Sequence, residues 1–208
     1  MINIIKRTQL PQFMFFREGD ELLDAVLTNG NEQMMIAARN GRCVRFEESD
    51  VRALGRSASG VRGINIEGDD EVVGVITYDP HQEDAKDHTV LVVSEHGLGK
   101  RSDPEDYRLT ARGSKGVKTL NITEKTGKVV AIKNVTDQND LMIITRSGLT
   151  IRLEGPDIKI CGRATQGVKL INLREGDSIA AVSVVTRSDE DETEVNGTES
   201  AEVEKTAE

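Results

Sequence analysis

Apolar residues in this chain fall in short runs separated by glycine-marked turns, the spacing of strands rather than of helices. Gln33–Ala38 is mostly apolar, Asn40-Gly41 interrupts it, and Arg42–Phe46 returns as a second run. Asn40-Gly41 predicts a two-residue type I′ hairpin, whose central positions both need positive φ. Glu47–Leu54 is polar and connecting, with room for one helical turn. Val61–Ile66 then alternates apolar with basic or polar, the period of a half-buried strand. Gly68-Asp69-Asp70 turns the chain, and Val72–Tyr78 supplies a fourth strand. The order recurs in Val90–Val93, His96-Gly97, Thr119–Ile122 and Lys128–Val135. It recurs again in Leu141–Thr145, Ser147-Gly148, Leu149–Leu153, Val168–Leu173 and Ser178–Val185.

A short motif marks each recurrence. Arg56-Ser57-Ala58-Ser59-Gly60-Val61 corresponds to Arg112-Gly113-Ser114-Lys115-Gly116-Val117 and to Arg163-Ala164-Thr165-Gln166-Gly167-Val168. Another glycine precedes each Gly-Val by nineteen positions (Gly41, Gly97, Gly148), and four residues after it stands Arg45, Arg101 or Arg152. A basic residue follows each Gly-Val (Arg62, Lys118, Lys169), then an aliphatic-Asn-aliphatic triplet centred on Asn65, Asn121 or Asn172. Successive Gly-Val pairs lie 56 and 51 residues apart. Four strands at that period predict an all-β, propeller-like array of four-stranded blades.

The array is expected to hold three full units, 29–79, 89–136 and 137–186, joined by an acidic loop at 80–88. Residues 1–28 read as a partial first unit. There Ile4-Ile5-Lys6-Arg7 matches the strand ending in Arg45, but the whole Arg-x-x-x-Gly-Val stretch is missing and Phe13-Met14-Phe15-Phe16 stands in its place, suited to core packing. Residues 187–208 hold nine acids against two bases and almost no large apolar side chain, the composition of a disordered tail. That tail carries −7 of the net charge of −9, so the body is close to neutral.

Aromatic residues are only 3% of the chain, so Val, Ile and Leu must build the core. No apolar run approaches a membrane span, and no signal-peptide pattern opens the chain. Cys43 and Cys161 occupy different columns of the repeat and form no zinc spacing, which fits a reduced, cytoplasmic protein. No P-loop, GxSxG, HExxH or dinucleotide fingerprint is present, so the residues offer no catalytic constellation and no cofactor or metal motif.

What remains is a repeated basic pattern. In the first unit it comprises Arg39, Arg42, Arg45, Arg52, Arg56 and Arg62; in the second, Lys100, Arg101, Arg108, Arg112, Lys115 and Lys118; in the third, Arg146, Arg152, Lys159, Arg163 and Lys169. Arranged radially, equivalent columns would recur along one rim and suit double-stranded DNA, because phosphate contacts position a duplex without reading its sequence. The alternative is structural: the glycines supply turns, and the arginines pair with acids such as Glu47, Glu67 and Glu105. The loop residues Arg56, Arg112, Lys115 and Arg163 are expected to favour binding, since loops carry function.

Gly41 to Arg56 with Gly60-Val61-Arg62-Gly63-Ile64, Gly99-Lys100-Arg101 with Lys115-Gly116-Val117, and Gly162 to Val168 together resemble the C-terminal domain of the bacterial DNA gyrase A protein. The likeness covers about residues 2–186. It implies a β-pinwheel, a disc of four-stranded blades with strands exchanged between neighbours. It also implies a basic rim that wraps duplex DNA and supports negative supercoiling together with gyrase B and the rest of gyrase A. The corresponding domain of topoisomerase IV shares that fold. This chain departs from the pattern: the Gln-Arg-Arg-Gly-Gly-Lys-Gly hallmark is absent, Arg112–Gly116 being its degenerate counterpart, and there is no cleavage domain. An incomplete disc would leave strand edges exposed.

Overall fold

The computed structural model describes residues 3–4, 18, 21–54 and 60–187. In chain order their strands are β1 (Asn3–Ile4), β2 (Gln33–Ala38), β3 (Arg42–Glu47), β4 (Val61–Arg62), β5 (Val72–Tyr78), β6 (Thr89–Ser94) and β7 (Leu98–Ser102). There follow β8 (Val117–Lys118), β9 (Val129–Val135), β10 (Asn139–Thr145), β11 (Thr150–Glu154), β12 (Val168–Lys169) and β13 (Ile179–Thr186). All named strand pairs are antiparallel. Short 3-10 turns at Glu48–Asp50, Pro104–Asp106 and Gly155–Asp157 follow the second strand of each unit, and a fourth at Ala85–Asp87 lies in the loop between the first two units. Phe13–Phe16 and the acidic tail from Ser188 onward lie outside the described residues.

The sheets run β5-β2-β3-β8, β9-β6-β7-β12 and β13-β10-β11. Three strands of each sheet come from one unit. The fourth, where present, comes from the next: β8 joins the first sheet and β12 the second. By the same step β4 leaves its own unit and pairs with β1. The exchanged strand is two residues long, shorter than the Val61–Ile66 pattern suggests. Beyond Arg62 and Lys118 the backbone turns to the following loop instead, where Asn65 N–H donates to Ser114 C=O (2.9 Å) and Asn121 N–H to Thr165 C=O (3.1 Å).

The hairpins also differ from expectation. Glycine alone takes positive φ among the described residues, so Asn40 does not occupy a type I′ position. The loop has three residues, Arg39-Asn40-Gly41, between the paired Ala38 and Arg42. Gly41 N–H donates to Ala38 C=O (3.0 Å), and Gly97 and Gly148 repeat the bond to Ser94 and Thr145. This is the type I turn closed by a left-handed residue, with a bulge beside it.

Exchange also explains the glycine of Gly-Val. A Cβ on Gly116 would collide with Cys43 C=O, and one on Gly167 would lie 2.5 Å from Gly99 C=O. The crossing chain therefore approaches the preceding sheet closer than any side chain permits. Gly41 and Gly97 are likewise covered by Leu120–Ile122 and Ile171–Leu173, whereas nothing lies within 4 Å of a Cβ on Gly148.

The core follows from the same stacking. On β6, Val90 and Val92 join Met35, Ala37 and Ile76 of the first sheet, while Leu91 and Val93 join Leu141, Ile143, Ile179 and Val182 of the third. Both faces of the middle sheet are therefore buried, which is why its central strand reads as a continuous apolar run. The third sheet is covered less. Every residue of β7 is buried, but β11 alternates exposed and half-buried positions.

Candidate nucleic-acid interface

Most of the basic pattern rides on the segments that cross from one unit to the preceding one. Those of the second and third units start at a 3-10 turn, run along the preceding unit's second strand through the parallel bridges Arg45–Leu109 and Arg101–Ile160, and end in the exchanged strand. The structure sorts the basic residues there by column, and only some columns face solvent.

Arg45 and Arg101 do not face it; they are 4% and 2% exposed. Arg45 donates from Nε to Gln33 Oε1 (2.6 Å), from Nη1 to the carbonyls of Pro104 (2.6 Å) and Tyr107 (3.1 Å), and from Nη2 to Glu105 Oε1 (2.6 Å). Its guanidinium also lies over the Tyr78 ring. Arg101 repeats the arrangement with Thr89 Oγ1 (2.8 Å), Gly155 C=O (2.9 Å) and Asp137 Oδ1 (2.6 Å). Both arginines pin the next unit's 3-10 turn to their own sheet. Expected as phosphate ligands, they are interblade staples, because a planar fork with five donors suits a cluster of carbonyls. Arg152, the third of the column, is 43% exposed and bonds Asp140 within its own sheet. Burial pulls the Asp140 carboxyl upward, but its bonds to Arg187 and Arg152 prevail and hold it below the ordinary aspartate range.

Lys100 is also withdrawn from any surface. It is fully buried and donates to Ser102 Oγ (2.7 Å) and Arg163 C=O (2.8 Å). Desolvation lowers its ammonium to about 8. The same column holds Val44 in the first unit and Ile151 in the third, an inward-facing apolar position that the sequence already marked.

Arg112 and Arg163 are half-buried clamps. Arg112 donates to the carbonyls of Asp50 (3.0 Å) and Arg62 (3.1 Å), and Arg163 to those of Asp106 (2.8 Å) and Lys118 (2.8 Å). Each loop arginine thus ties its loop to the 3-10 turn and exchanged strand of the unit before. Arg56, their counterpart, lies outside the described residues.

Two complete columns are exposed: Arg52, Arg108 and Lys159 after the 3-10 turns, and Arg62, Lys118 and Lys169 on the exchanged strands. Arg42 and Lys115 join them. Arg42 sits opposite Lys118 across the β3–β8 ladder and reaches Gly116 C=O (3.3 Å). Lys115 pairs with Glu67 (2.5 Å), and that bond holds the glutamate below its ordinary range. Two shallow grooves meet at Asn40 and Arg42. One includes Glu67, Asp70 and Lys115; the other is lined by Lys118, Leu120, Asn121 and Ile122 and contains no acid. Such a surface can bind a polyanion. Among the described residues no cluster of His, Cys, Asp or Glu could hold a metal, and no helix is long and apolar enough to cross a membrane.

The model of the DNA gyrase C-terminal domain, beta-propeller, family matches residues 32–79, 88–136 and 139–186. The chain belongs to this family. As a gyrase C-terminal domain it is similar to the DNA gyrase A protein of Staphylococcus aureus strain NCTC 8325, at 44% identity over 201 residues, covering 92% of this chain and 22% of the relative. It is similar at 42% over 198 residues to the DNA gyrase A protein of Staphylococcus epidermidis strain ATCC 12228, covering 90% and 22%. The chain therefore spans about a fifth of the length of these relatives. Among solved structures, the C-terminal domain of DNA topoisomerase IV superposes with a TM-score of 0.75 at 21% identity, covering 83% of this chain and 52% of that one. A DNA gyrase A C-terminal domain gives 0.66 at 24%, covering 74% and 50%. These two support the gyrase-type fold.

Within that fold, sequence reasoning overlooked the partners of the exposed column. Lys118 Nζ donates to Asn121 Oδ1 (3.3 Å) and Lys169 Nζ to Asn172 Oδ1 (3.1 Å). The signal was the asparagine at the centre of each aliphatic triplet, a polar residue held between two apolar ones.

Proposed function

We propose that this gyrase C-terminal domain binds and bends duplex DNA as part of a gyrase A protein. There it supports negative supercoiling in the cytoplasm, in company with gyrase B and the rest of gyrase A. The observation that carries this reading is the recurrence of exposed basic side chains at equivalent positions of successive units. Repeated cations on stacked units meet a phosphate backbone that is itself periodic. Bending a few tens of base pairs costs on the order of several kcal/mol, which contacts spread over several units can offset. Backbone contact without base readout gives affinity that is insensitive to sequence and steep in salt. Catalysis of strand passage belongs, in this reading, to other parts of the enzyme.

The test is a gel shift with duplexes of increasing length over a salt series. Affinity should rise with length until the exposed columns are covered and fall steeply with salt. Absence of any shift at low salt, with and without residues 188–208, would exclude the reading.

A further inference from the structure

The asparagine triplets have no part in the fold's exchange ladder, yet Asn121 is held through both its backbone and its side chain, and Asn65 and Asn172 each share one of these bonds. The flanking aliphatics Leu120 and Ile171 are buried, so the backbone is anchored beside each asparagine. Asn121 N–H is held by the next unit's loop at Thr165 C=O (3.1 Å), as Asn65 N–H is by Ser114 C=O (2.9 Å). The side-chain oxygens of Asn121 and Asn172 receive the lysine ammonium three residues earlier. With Oδ1 turned to the ammonium, Nδ2 points the other way, and no protein group among the described residues accepts from it at either position. Asn121 lines the acid-free groove together with Arg42 and Lys118.

We infer that each Lys-x-x-Asn pair, Lys118 with Asn121 and Lys169 with Asn172, is a two-donor clamp for one phosphodiester of duplex DNA, with the asparagine as a second ligand and as the residue that orients the lysine. The inference rests on the DNA-binding reading above and assigns it specific contacts. A lysine side chain carries several rotatable bonds, and ordering it on binding costs conformational entropy. An amide that already holds the ammonium removes part of that cost. It then adds N–H donors at a fixed distance from the charge, suited to a second oxygen of the same phosphate. Arg62 and Asn65 occupy these two positions in the first unit, with Asn65 N–H bound to the next loop in the same way.

The double variant Asn121→Asp/Asn172→Asp tests this in the full chain on linear duplex DNA. Aspartate keeps the shape and the bond to lysine but neutralises the ammonium and offers no donor. Each clamp lost should lower the slope of log affinity against log salt by about 0.9, so the slope should fall by about 1.8 and affinity near 0.1 M salt by about 60-fold. Asn121→Ala/Asn172→Ala should weaken binding with the slope kept, because the charges remain. Gln82→Glu/Gln138→Glu adds the same two charges at exposed positions elsewhere and should change the slope little. Thermal unfolding should show all three variants folded like the parent. If the parent binds DNA and the aspartate variant keeps its slope, or if the glutamate control loses as much, the clamp is wrong and the DNA-binding reading stands. If the parent shifts no duplex, both fall together.

Discussion

Replacing Arg45 by alanine removes a residue on which two units depend. Its guanidinium makes four hydrogen bonds between 2.6 and 3.1 Å, three of them to the next unit, and it is 4% exposed. Glu105, at 64% exposure, regains water when its partner goes, so its carboxylate contributes little to the cost. The Tyr107 carbonyl and the amide oxygen of buried Gln33 lose their donors inside the protein, the Pro104 carbonyl keeps only Tyr107 N–H, and the shortened side chain leaves a void over Tyr78. A buried acceptor left without its donor costs about 1–3 kcal/mol, so the Tyr107 carbonyl and the Gln33 amide oxygen together cost about 4 kcal/mol. For a chain of this size each kcal/mol moves Tm by about 2–4 °C, so Arg45→Ala should lower it by roughly 8–16 °C. Arg152→Ala, at the equivalent but half-exposed position, should cost about 1 kcal/mol or less. Differential scanning calorimetry of both variants, with a salt-slope measurement at a temperature where both are folded, separates structure from binding. Arg45→Ala should keep the parent's slope. Equal stability costs at Arg45 and Arg152, or a stable Arg45→Ala protein with a reduced slope, would refute the staple.

Two other perturbations follow from the same geometry. Gly116→Ala drives a methyl group into Cys43 C=O in a left-handed conformation and should unfold or severely destabilise the exchange, whereas Gly148→Ala meets open space and should cost only about 1 kcal/mol for its φ of +87°; urea unfolding compares them. Lys100 has a folded-state value of about 8, below the lysine norm, so the folded protein binds fewer protons than the unfolded chain above that pH. Stability at this site is therefore reduced below pH 8 and recovers as pH rises toward 10. Lys100→Met should abolish that rise in a comparison of unfolding free energies across the window, and an unchanged profile would show that the lysine is not buried as a cation.

The unit count and the strand order were legible because each strand's apolar period and each turn glycine are local. The exchange was legible only through the family resemblance, which implied strands traded between neighbouring blades. Nothing in Val61-Arg62 or Val117-Lys118 says which sheet receives it, since a two-residue ladder leaves no pattern of its own. Arg45 was misread for the same reason: its acceptors at Pro104, Glu105 and Tyr107 lie 59 to 62 residues away in another unit. The possibility of a partner acid was visible in Glu105, but its choice over solvent was decided by packing. Asn40-Gly41 suggested the wrong hairpin because the dipeptide fits two turns, and a three-residue loop lets Asn40 avoid positive φ. Lys100 carried a readable clue, the apolar Val44 and Ile151 of its column, which the count of basic residues obscured.

The claim that the exchanged strands present this chain's contacts to DNA is tested most directly by the triple variant Arg62→Ala/Lys118→Ala/Lys169→Ala. All three side chains are exposed, so the fold should be retained. If each neutralises one phosphate, the slope of log affinity against log salt for a long duplex should fall by about 2.7. A folded triple variant that binds the duplex with the parent's affinity and slope would contradict the account.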